Sequence, residues 1–348
     1  MELKDFLYFL PDELIAQQPC QKRGHSRMLF LDKKKEKMAD LFFFQLPDLL
    51  QSGDVLVIND SKVIPARLFG KKPTGGILEI LLLTRKETQE DFQIWEVLVR
   101  PAKRLRENDI IALGGNCEAK VLARISDKKW LLKFFAPDGF DIYLNRFGRA
   151  PLPPYIKRNR NSDPDVTDLE RYQTIYAKNP GSIAAPTAGL HFSDDVIQTL
   201  KSRGIQIAPI TLHVGYGTFL PIEADDVEKH VMESEYYEIS ADSSQIINNA
   251  RRLIAVGTTS TRTLESAAGT DGFVNAQSGF TNLFIYPGYK FKRVNGLLTN
   301  FHLSQSSLFL LVCAFAGTDL IKKTYLHAME NHYLFYSYGD CMLILQDI

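Results

Sequence analysis

Cysteine is scarce in this sequence: the four residues, at positions 20, 117, 313 and 341, form no CxxC pair. Neither a zinc knuckle nor a disulfide framework is indicated. Long apolar runs are absent as well, because the longest, residues 308–316, is far shorter than the roughly 18–20 residues that span a bilayer. The first 19 residues hold four acids and Pro11, which is unlike a signal peptide. We therefore expect a reduced, soluble, cytoplasmic protein without a membrane segment.

Net charge is absent too, since 41 Lys and Arg residues balance 41 Asp and Glu residues. Binding of polyanions through bulk charge is therefore excluded. The charges are nevertheless segregated, because residues 100–160 hold 14 basic side chains against six acidic ones. Such a segment is typical of a surface that follows nucleic-acid phosphates. A charged, solvated face of a sheet would give the same pattern.

Several standard catalytic motifs are missing. The sequence has no GxxxxGK[ST] phosphate loop, no GxGxxG between a strand and a helix, no HExxH and no nucleophile elbow. What it has instead is a set of turns rich in glycine, threonine and histidine in its C-terminal half.

The length of 348 residues predicts about two domains. Short apolar runs separated by turn residues predict a small antiparallel barrel or sandwich, with a meander as the alternative. The predicted strands are residues 54–59, 66–70, 76–84, 92–99, 109–113, 117–125, 129–135 and 140–147.

From about residue 180 onward, strand patterns alternate with helix patterns, which predicts an α/β domain with a largely parallel sheet. Helices are predicted after Ser193 and over residues 242–252 and 260–268, and strands over residues 253–259 and 281–288.

The β-rich segment is predicted to be an insertion, because the chain before it is too short to fold alone. Residues 1–60 and 151–348 would then form a discontinuous α/β catalytic domain, with residues 61–150 as an inserted all-β domain. The proline-rich segment 150–158 marks the return crossing.

Three turns carry a histidine: residues 186–192 with His191, residues 211–219 with His213, and residues 299–302 with His302. Ligands of α/β folds bind beyond the carboxyl ends of strands, where these turns are expected. Surface turns with structural histidines are the alternative.

A fourth turn, residues 256–262, joins a predicted strand to a helix and holds four hydroxyl side chains and Arg262. Hydroxyls and free backbone N–H groups at a helix start suit a carboxylate or phosphate, and Arg262 could add a bidentate clamp. Simple capping of the helix needs only one of the hydroxyls. Glu235 lies among aromatic residues, where burial would suit it to proton transfer.

Taken together and in this order, the motifs resemble the S-adenosylmethionine:tRNA ribosyltransferase-isomerase family of queuosine biosynthesis over the full length. They are DFLYFLPDELIAQQP (5–19), GDVLVINDSKVIPARL (53–68), VRPAKRL (99–105), PLPPYIKR (151–158), ERYQTIYA (170–177), PTAGLHF (186–192), TLHVGYGTF (211–219), AVGTTSTRTLES (255–266), LFIYPGYKF (283–291), LLTNFHL (297–303) and FYSYGD (335–340). Glu233 departs from the pattern, which has a second histidine there.

The resemblance implies a barrel-like α/β main domain with an inserted small antiparallel β-barrel. It implies transfer and isomerisation of the ribosyl moiety of S-adenosylmethionine onto 7-aminomethyl-7-deazaguanine at the wobble position of a tRNA with a GUN anticodon. The products are epoxyqueuosine-tRNA, adenine and methionine. S-adenosylmethionine is a consumed substrate, so no metal or further cofactor is expected, and the enzyme is expected to be a monomer.

The residues that match the motifs give the candidate site. The catalytic candidates are His191, His213, Glu235 and His302. The substrate-binding candidates are Thr187, Gly189, Phe192, Gly215, Tyr216, Gly217, Thr218, Thr258, Thr259, Ser260, Arg262, Asn300 and Phe301. The tRNA-binding candidates are Arg23, Arg27, Arg100, Lys103, Arg104, Arg106, Lys157 and Arg158.

Two other functions compete with this one. A noncatalytic RNA-binding module would explain the basic segment, with structural histidines. An S-adenosylmethionine-dependent tRNA methyltransferase would share the substrate, but the acidic Gly-x-Gly-x-Gly loop expected after its first strand is absent.

Overall fold

The computed structural model of this chain divides into two compact units. Unit 1 comprises Met1–Lys62, Pro153–Lys157 and Gln173–Ile348, and unit 2 comprises Val63–Leu152 and Arg158–Tyr172. The structure describes residues 1–72, 75–103, 105–158, 166–219, 221–222 and 224–346. The sequence assigned residues 158–172 to the main domain, whereas the segment groups with unit 2.

The strands are β1 (Arg27–Asp32), β2 (Lys37–Phe42), β3 (Asp54–Asn59), β4 (Ser61–Val63), β5 (Arg67–Lys71), β6 (Ile77–Thr88), β7 (Phe92–Arg100), β8 (Ile110–Gly114), β9 (Cys117–Arg124), β10 (Lys129–Phe135), β11 (Asn179–Ser182), β12 (Gln206–Leu212), β13 (Glu235–Ile239), β14 (Arg252–Val256), β15 (Gln277–Thr281), β16 (Gly296–Asn300) and β17 (Cys341–Leu345). The helices are α1 (Leu46–Leu49), α2 (Phe140–Phe147), α3 (Val166–Arg171), α4 (Asp194–Ser202), α5 (Ala241–Asn248), α6 (Gly257–Ala267), α7 (Ser307–Ala316) and α8 (Thr318–Glu330).

Unit 1 is built on a nine-stranded mixed sheet in the order β15-β13-β12-β3-β14-β16-β17-β1-β2. The four adjacent strands β12, β3, β14 and β16 run parallel, so their carboxyl ends lie along one edge. Strands β3, β16 and β17 are buried along their whole length, as expected for a sheet covered on both faces. The α/β class predicted from the sequence is confirmed. The sheet is mixed rather than largely parallel, because β17 and β1 form a fourth parallel pair while the remaining four pairs of neighbours are antiparallel.

Local signals explain the helices around this sheet. The Ser193 hydroxyl accepts a hydrogen bond from the Val196 N–H at the start of α4, and Gly204 follows the end of that helix with a φ of +76°. The strand predicted over residues 281–288 is wrong, because β15 ends at Thr281 and an irregular segment follows. Within the described residues, every helix is too short or too polar to cross a membrane.

Unit 2 contains a closed antiparallel barrel of six strands in the order β10-β7-β6-β5-β8-β9. Its strands alternate between buried and partly exposed residues, which is the pattern of a barrel with one packed face. The antiparallel barrel predicted from the sequence is confirmed.

One strand predicted for the barrel is wrong: residues 140–147 form helix α2. Gly139, with a φ of +91°, ends the turn before it. Phe140, Tyr143 and Leu144 are buried, and this spacing of three and four residues belongs to a helix. The alternating apolar pattern of so short a segment fitted either element.

A buried carboxylate fixes the chain before β16. Glu265, on α6, is fully buried and accepts hydrogen bonds from the backbone N–H groups of Lys292, Arg293 and Val294 at 2.7–3.0 Å. Its side chain also accepts a hydrogen bond from the Tyr289 hydroxyl at 3.2 Å. The Glu265 carboxylate therefore satisfies three backbone N–H groups of the loop that leads into β16, and these groups need no water.

We expect Glu265→Gln to lower the free energy of unfolding by about 2–3 kcal/mol, because an amide turns an NH2 group toward backbone N–H donors. Chemical denaturation followed by circular dichroism measures the change. Glu330→Gln, at the exposed end of α8, is the matched control and should leave the stability within about 0.5 kcal/mol. Equal stability of the two variants would contradict the role given to Glu265.

Candidate active site

A cavity in unit 1 lies at the carboxyl edge of the parallel strands. Segments that follow β12, β14 and β16 contribute to its wall, as does the turn before α4. The sequence candidates that line it are Thr187, Thr218, Thr258, Thr259, Asn300, Phe301 and His302. These residues come together because the carboxyl ends of neighbouring parallel strands lie at the same edge of the sheet, where the turns that follow them meet.

Four of the lining residues that were not singled out from the sequence carry hydroxyl groups: Tyr155, Ser306, Tyr336 and Ser337. Tyr155 and Tyr336 pack together with ring centroids 4.7 Å apart, and the Tyr155 hydroxyl lies 2.6 Å from that of Ser337. Three of the four belong to the motifs PLPPYIKR and FYSYGD, and this membership is the only sign of them in the sequence. Neither motif carries a pattern that distinguishes a ligand contact from core packing.

The side-chain amide of Asn300 occupies the end of β16, between the cavity and His191. Its Nδ2 donates to the backbone carbonyls of Tyr336 and Asp340 at 3.1 and 3.3 Å, and lies 3.2 Å from Nε2 of His191. Carbonyl oxygens only accept, so they fix this end of the amide as the NH2 group. The other end, Oδ1, is buried and has no hydrogen-bond partner among the described residues.

This amide also decides the tautomer of His191. A proton on Nε2 of the imidazole would face the NH2 group of Asn300, which is itself a donor, so the proton of the neutral ring is on Nδ1, which donates to the Ser26 hydroxyl at 2.7 Å. Burial, followed by the charge of Arg23, lowers the pKa of His191 to about 4. At neutral pH the ring is therefore uncharged and oriented by both of its nitrogens.

His302 lies in the cavity wall itself. Its Nε2 is 2.7 Å from the Thr299 hydroxyl, and its backbone N–H donates to the Tyr325 hydroxyl at 3.0 Å. The side chain is 7% exposed, and burial lowers its pKa to about 3. His302 is thus a second neutral imidazole, and the one that faces the cavity directly.

Glu235 and Arg262 form a buried ion pair next to the 215–218 turn. Glu235 also accepts hydrogen bonds from the Gly215 N–H at 2.7 Å and, more weakly, from the Thr218 hydroxyl at 3.4 Å. Arg262 donates through Nε to the Leu283 carbonyl at 2.9 Å, so two of its three nitrogens are engaged within the protein. Its Nη2 is buried and has no partner in the part of the chain described.

The hydroxyls of α6 divide into two groups, because the helix begins at Gly257, three residues before the predicted start. Thr258 and Thr259 line the cavity, and Oγ1 of Thr259 is buried without a partner among the described residues. Ser260 instead donates to the Val256 carbonyl at 2.8 Å and does not line the cavity.

Other candidates are packed away from the cavity. Phe192 is fully buried and packs edge-on against Phe43, so it belongs to the core. Gly189 lies directly against the Tyr176 hydroxyl, which leaves no space for a Cβ at this position. Gly217 packs against the Glu233 carboxylate, where a Cβ would lie 3.1 Å from Oε2. Tyr216 and Gly217 belong to the turn 216–219 beside Glu235.

His213 is separate from the other two histidines. Its ring stacks on Tyr236 with centroids 5.6 Å apart and covers Gly181, where a Cβ would lie 2.7 Å from the ring. It is not part of the cavity wall, and burial lowers its pKa, opposed by the charges of Asp60 and Glu238. Of the three histidines predicted to share one site, His302 lines the cavity, His191 contacts the cavity residue Asn300, and His213 lies elsewhere.

Among the basic candidates, four have side chains engaged within the protein or lie outside the described residues. Arg23 donates to the carbonyls of Leu190 and Gln173 at 3.1 and 2.8 Å, so it holds the turn of His191. Arg27 covers the Tyr333 ring at 3.8 Å, and Arg158 forms a bidentate pair with Asp168. Arg104 lies outside the described residues. Arg100, Lys103, Arg106 and Lys157 are exposed.

The described residues include no group of three or more His, Cys, Asp or Glu side chains arranged to hold a metal ion.

Comparisons with known proteins agree with the motifs. A sequence model of the family described as "Queuosine biosynthesis protein" matches residues 3–344. An S-adenosylmethionine:tRNA ribosyltransferase-isomerase of Syntrophus aciditrophicus is 55% identical, covering 99% of this chain and 100% of the relative. One of Desulfitobacterium hafniense is 46% identical with the same coverage. The crystal structure of S-adenosylmethionine tRNA ribosyltransferase from Thermotoga maritima superposes with a TM-score of 0.54 at 33% identity, covering 98% of this chain and 100% of the other. This chain therefore belongs to the queuosine biosynthesis protein family.

Proposed function

We propose that this protein transfers the ribosyl moiety of S-adenosylmethionine to 7-aminomethyl-7-deazaguanine at the wobble position of tRNA and isomerises it. Adenine and methionine leave, and epoxyqueuosine remains in the tRNA. One structural observation carries the proposal: the cavity wall joins a neutral imidazole, His302, to two buried polar atoms without a partner in the described chain, Oδ1 of Asn300 and Oγ1 of Thr259. Buried polar atoms of this kind are satisfied by a ligand.

The reaction suits neutral imidazoles. The positive sulfur of the substrate acidifies the adjacent ribose carbon, so a modest base suffices to remove its proton. The departing adenine needs a proton, and the attacking amine must be uncharged. Imidazolium rings would repel the sulfonium, whereas the lowered pKa values of His191 and His302 keep both rings neutral at pH 7.

The geometry suggests different roles for the two rings. His302 lines the cavity, so we assign it the proton transfer at the substrate. His191 acts through Asn300: it accepts from the amide and thereby aims Oδ1 as an acceptor for an N–H or hydroxyl group of the substrate. Glu235 supports the 215–218 turn as the partner of Arg262, a role different from the proton transfer predicted for it.

Helix α6 offers a site for the carboxylate of the methionine moiety. Its first turn brings Thr258 and Thr259 to the cavity, with the positive end of the helix dipole behind them. No metal or further cofactor enters this proposal, because the sulfonium activates its own substrate.

For the tRNA we propose contacts between backbone phosphates and the exposed basic residues Arg100, Lys103 and Arg106 of unit 2 and Lys157 of unit 1. A GUN anticodon, a monomeric enzyme and a cytoplasmic location complete the proposal.

Incubation with S-adenosylmethionine and tRNA that bears the deazaguanine precursor tests the function. We expect free adenine and methionine in equal amounts, identified by liquid chromatography and mass spectrometry. Formation of S-adenosylhomocysteine would indicate a methyltransferase instead. Absence of any small product, with tRNA still bound, would indicate a noncatalytic RNA-binding protein.

Asn300→Ala should lower kcat/KM by about 10- to 100-fold, since it removes the acceptor at the cavity and one partner of His191. Steady-state release of adenine measures the loss. Asn331→Ala, at the exposed end of α8, removes an amide of the same size and should leave kcat/KM within about twofold. Equal activity of the two variants would remove Asn300 from the site.

The lowered pKa of His191 predicts how stability changes with pH. The folded ring protonates near pH 4 and the unfolded ring near pH 6.5, so the unfolded state binds more protons between these values. Stability contributed by this residue is therefore complete above pH 6.5 and falls by roughly 3 kcal/mol as the pH drops to 4. Urea unfolding across this range should show a steeper fall for the wild type than for His191→Gln. Parallel curves would contradict the lowered pKa.

A further inference from the structure

An exposed aromatic surface lies at one end of the nine-stranded sheet, where β2 is the edge strand. Phe42 and Phe44 are 47% and 46% exposed, and their rings are parallel within 6° with centroids 5.7 Å apart. The ring of His25, also exposed, lies 5.2 Å from that of Phe44. We call these three residues the aromatic edge.

The backbone beneath the aromatic edge is tied down. Phe43, between the two exposed rings, is fully buried and packs against His191 and Phe192, with centroids 5.3 and 4.9 Å away. The Phe43 N–H donates to the Ser26 carbonyl at 2.9 Å, which joins the segment of His25 to that of the phenylalanines. The exposed rings are thus attached to the core of unit 1 and do not lie on a loose loop.

Two parallel, half-exposed phenylalanine rings are unusual on a free surface, because apolar area left in water costs free energy. Flat aromatic groups of a partner cover such rings best. Unpaired nucleobases are partners of this kind, since every base has a π face and stacking tolerates different base sequences.

Charge and position favour RNA over a second protein. In residues 21–27, which contain no acid, the side chains of Lys22 and His25 are exposed next to the aromatic edge, so the segment attracts phosphates. Ser26, next to His25, hydrogen-bonds to His191, whose other nitrogen meets Asn300 at the cavity. The aromatic edge is therefore connected to the proposed active site through two side-chain contacts.

We propose that the aromatic edge binds unpaired bases of the anticodon loop of the substrate tRNA by stacking, next to the nucleotide that enters the cavity. This inference rests on the proposed function, because that function supplies a tRNA whose loop bases leave their own stack.

The test is a variant with both Phe42→Ala and Phe44→Ala. We expect its Kd for an RNA hairpin with the anticodon stem and loop to rise on the order of tenfold, the size of one lost base stack, while its affinity for S-adenosylmethionine stays unchanged. The fluorescence of a 2-aminopurine base placed in the loop should be quenched when the wild type binds, and this quenching should be lost with the double alanine variant. A variant with both Phe42→Trp and Phe44→Trp should retain the affinity, since an indole stacks as a phenyl ring does.

Phe273→Ala is the matched control, because Phe273 is 50% exposed and lies between α6 and β15. It should not change the Kd for the hairpin. A fully paired RNA of the same length should bind the double variant and the wild type equally. Circular dichroism and a thermal melt confirm that the double variant folds.

The outcomes separate this inference from the proposed function. An unchanged Kd for the hairpin in the double variant, with wild-type adenine release intact, overturns the stacking surface alone. A loss of dimers in sedimentation without a change in Kd assigns the surface to a second copy of the chain and also overturns it. If the wild type releases no adenine, the proposed function fails, and the hairpin Kd still decides the stacking surface.

Discussion

The candidate site depends on a single amide, that of Asn300 at the end of β16. Two backbone carbonyls, of Tyr336 and Asp340, fix its NH2 end, and that end in turn fixes the tautomer of His191. The amide cannot rotate without leaving both carbonyls unsatisfied. Its Oδ1 is therefore held as an acceptor in a fixed orientation. The imidazole is oriented by its partners before any substrate arrives, which is the preorganisation that catalysis uses.

Helix α6 connects this chemistry to the stability of unit 1. It brings Thr259 to the cavity, pairs Arg262 with Glu235, and uses Glu265 to hold the chain that leads into β16. The helix therefore contributes to the cavity wall, to the support of a neighbouring turn and to the position of the strand that ends in Asn300. Glu235, Arg262 and Glu265 are buried, so removing the partner of any one of them leaves a polar group that water does not reach.

Some of the site was predictable because its signal is local. Glycine, threonine and histidine just after an apolar strand indicate a ligand-binding turn. His302 and Thr258 were chosen on this signal, and both line the cavity. Ser260 bonds its own helix, and sequence spacing does not show whether a hydroxyl does so. Phe192 is packed in the core, because an aromatic residue near a turn packs there as readily as beside a ligand.

The sequence by itself determined the α/β class, the antiparallel barrel and the family, because apolar periodicity, turn residues and long ordered motifs are properties of contiguous chain. Only the tertiary structure decided that His191 contacts Asn300 at the end of β16, and that His302 lines the cavity with Tyr155 while His213 does not. These facts depend on strand register and on contacts between residues more than a hundred positions apart. Local pattern contains no record of which distant groups become neighbours when the sheet assembles.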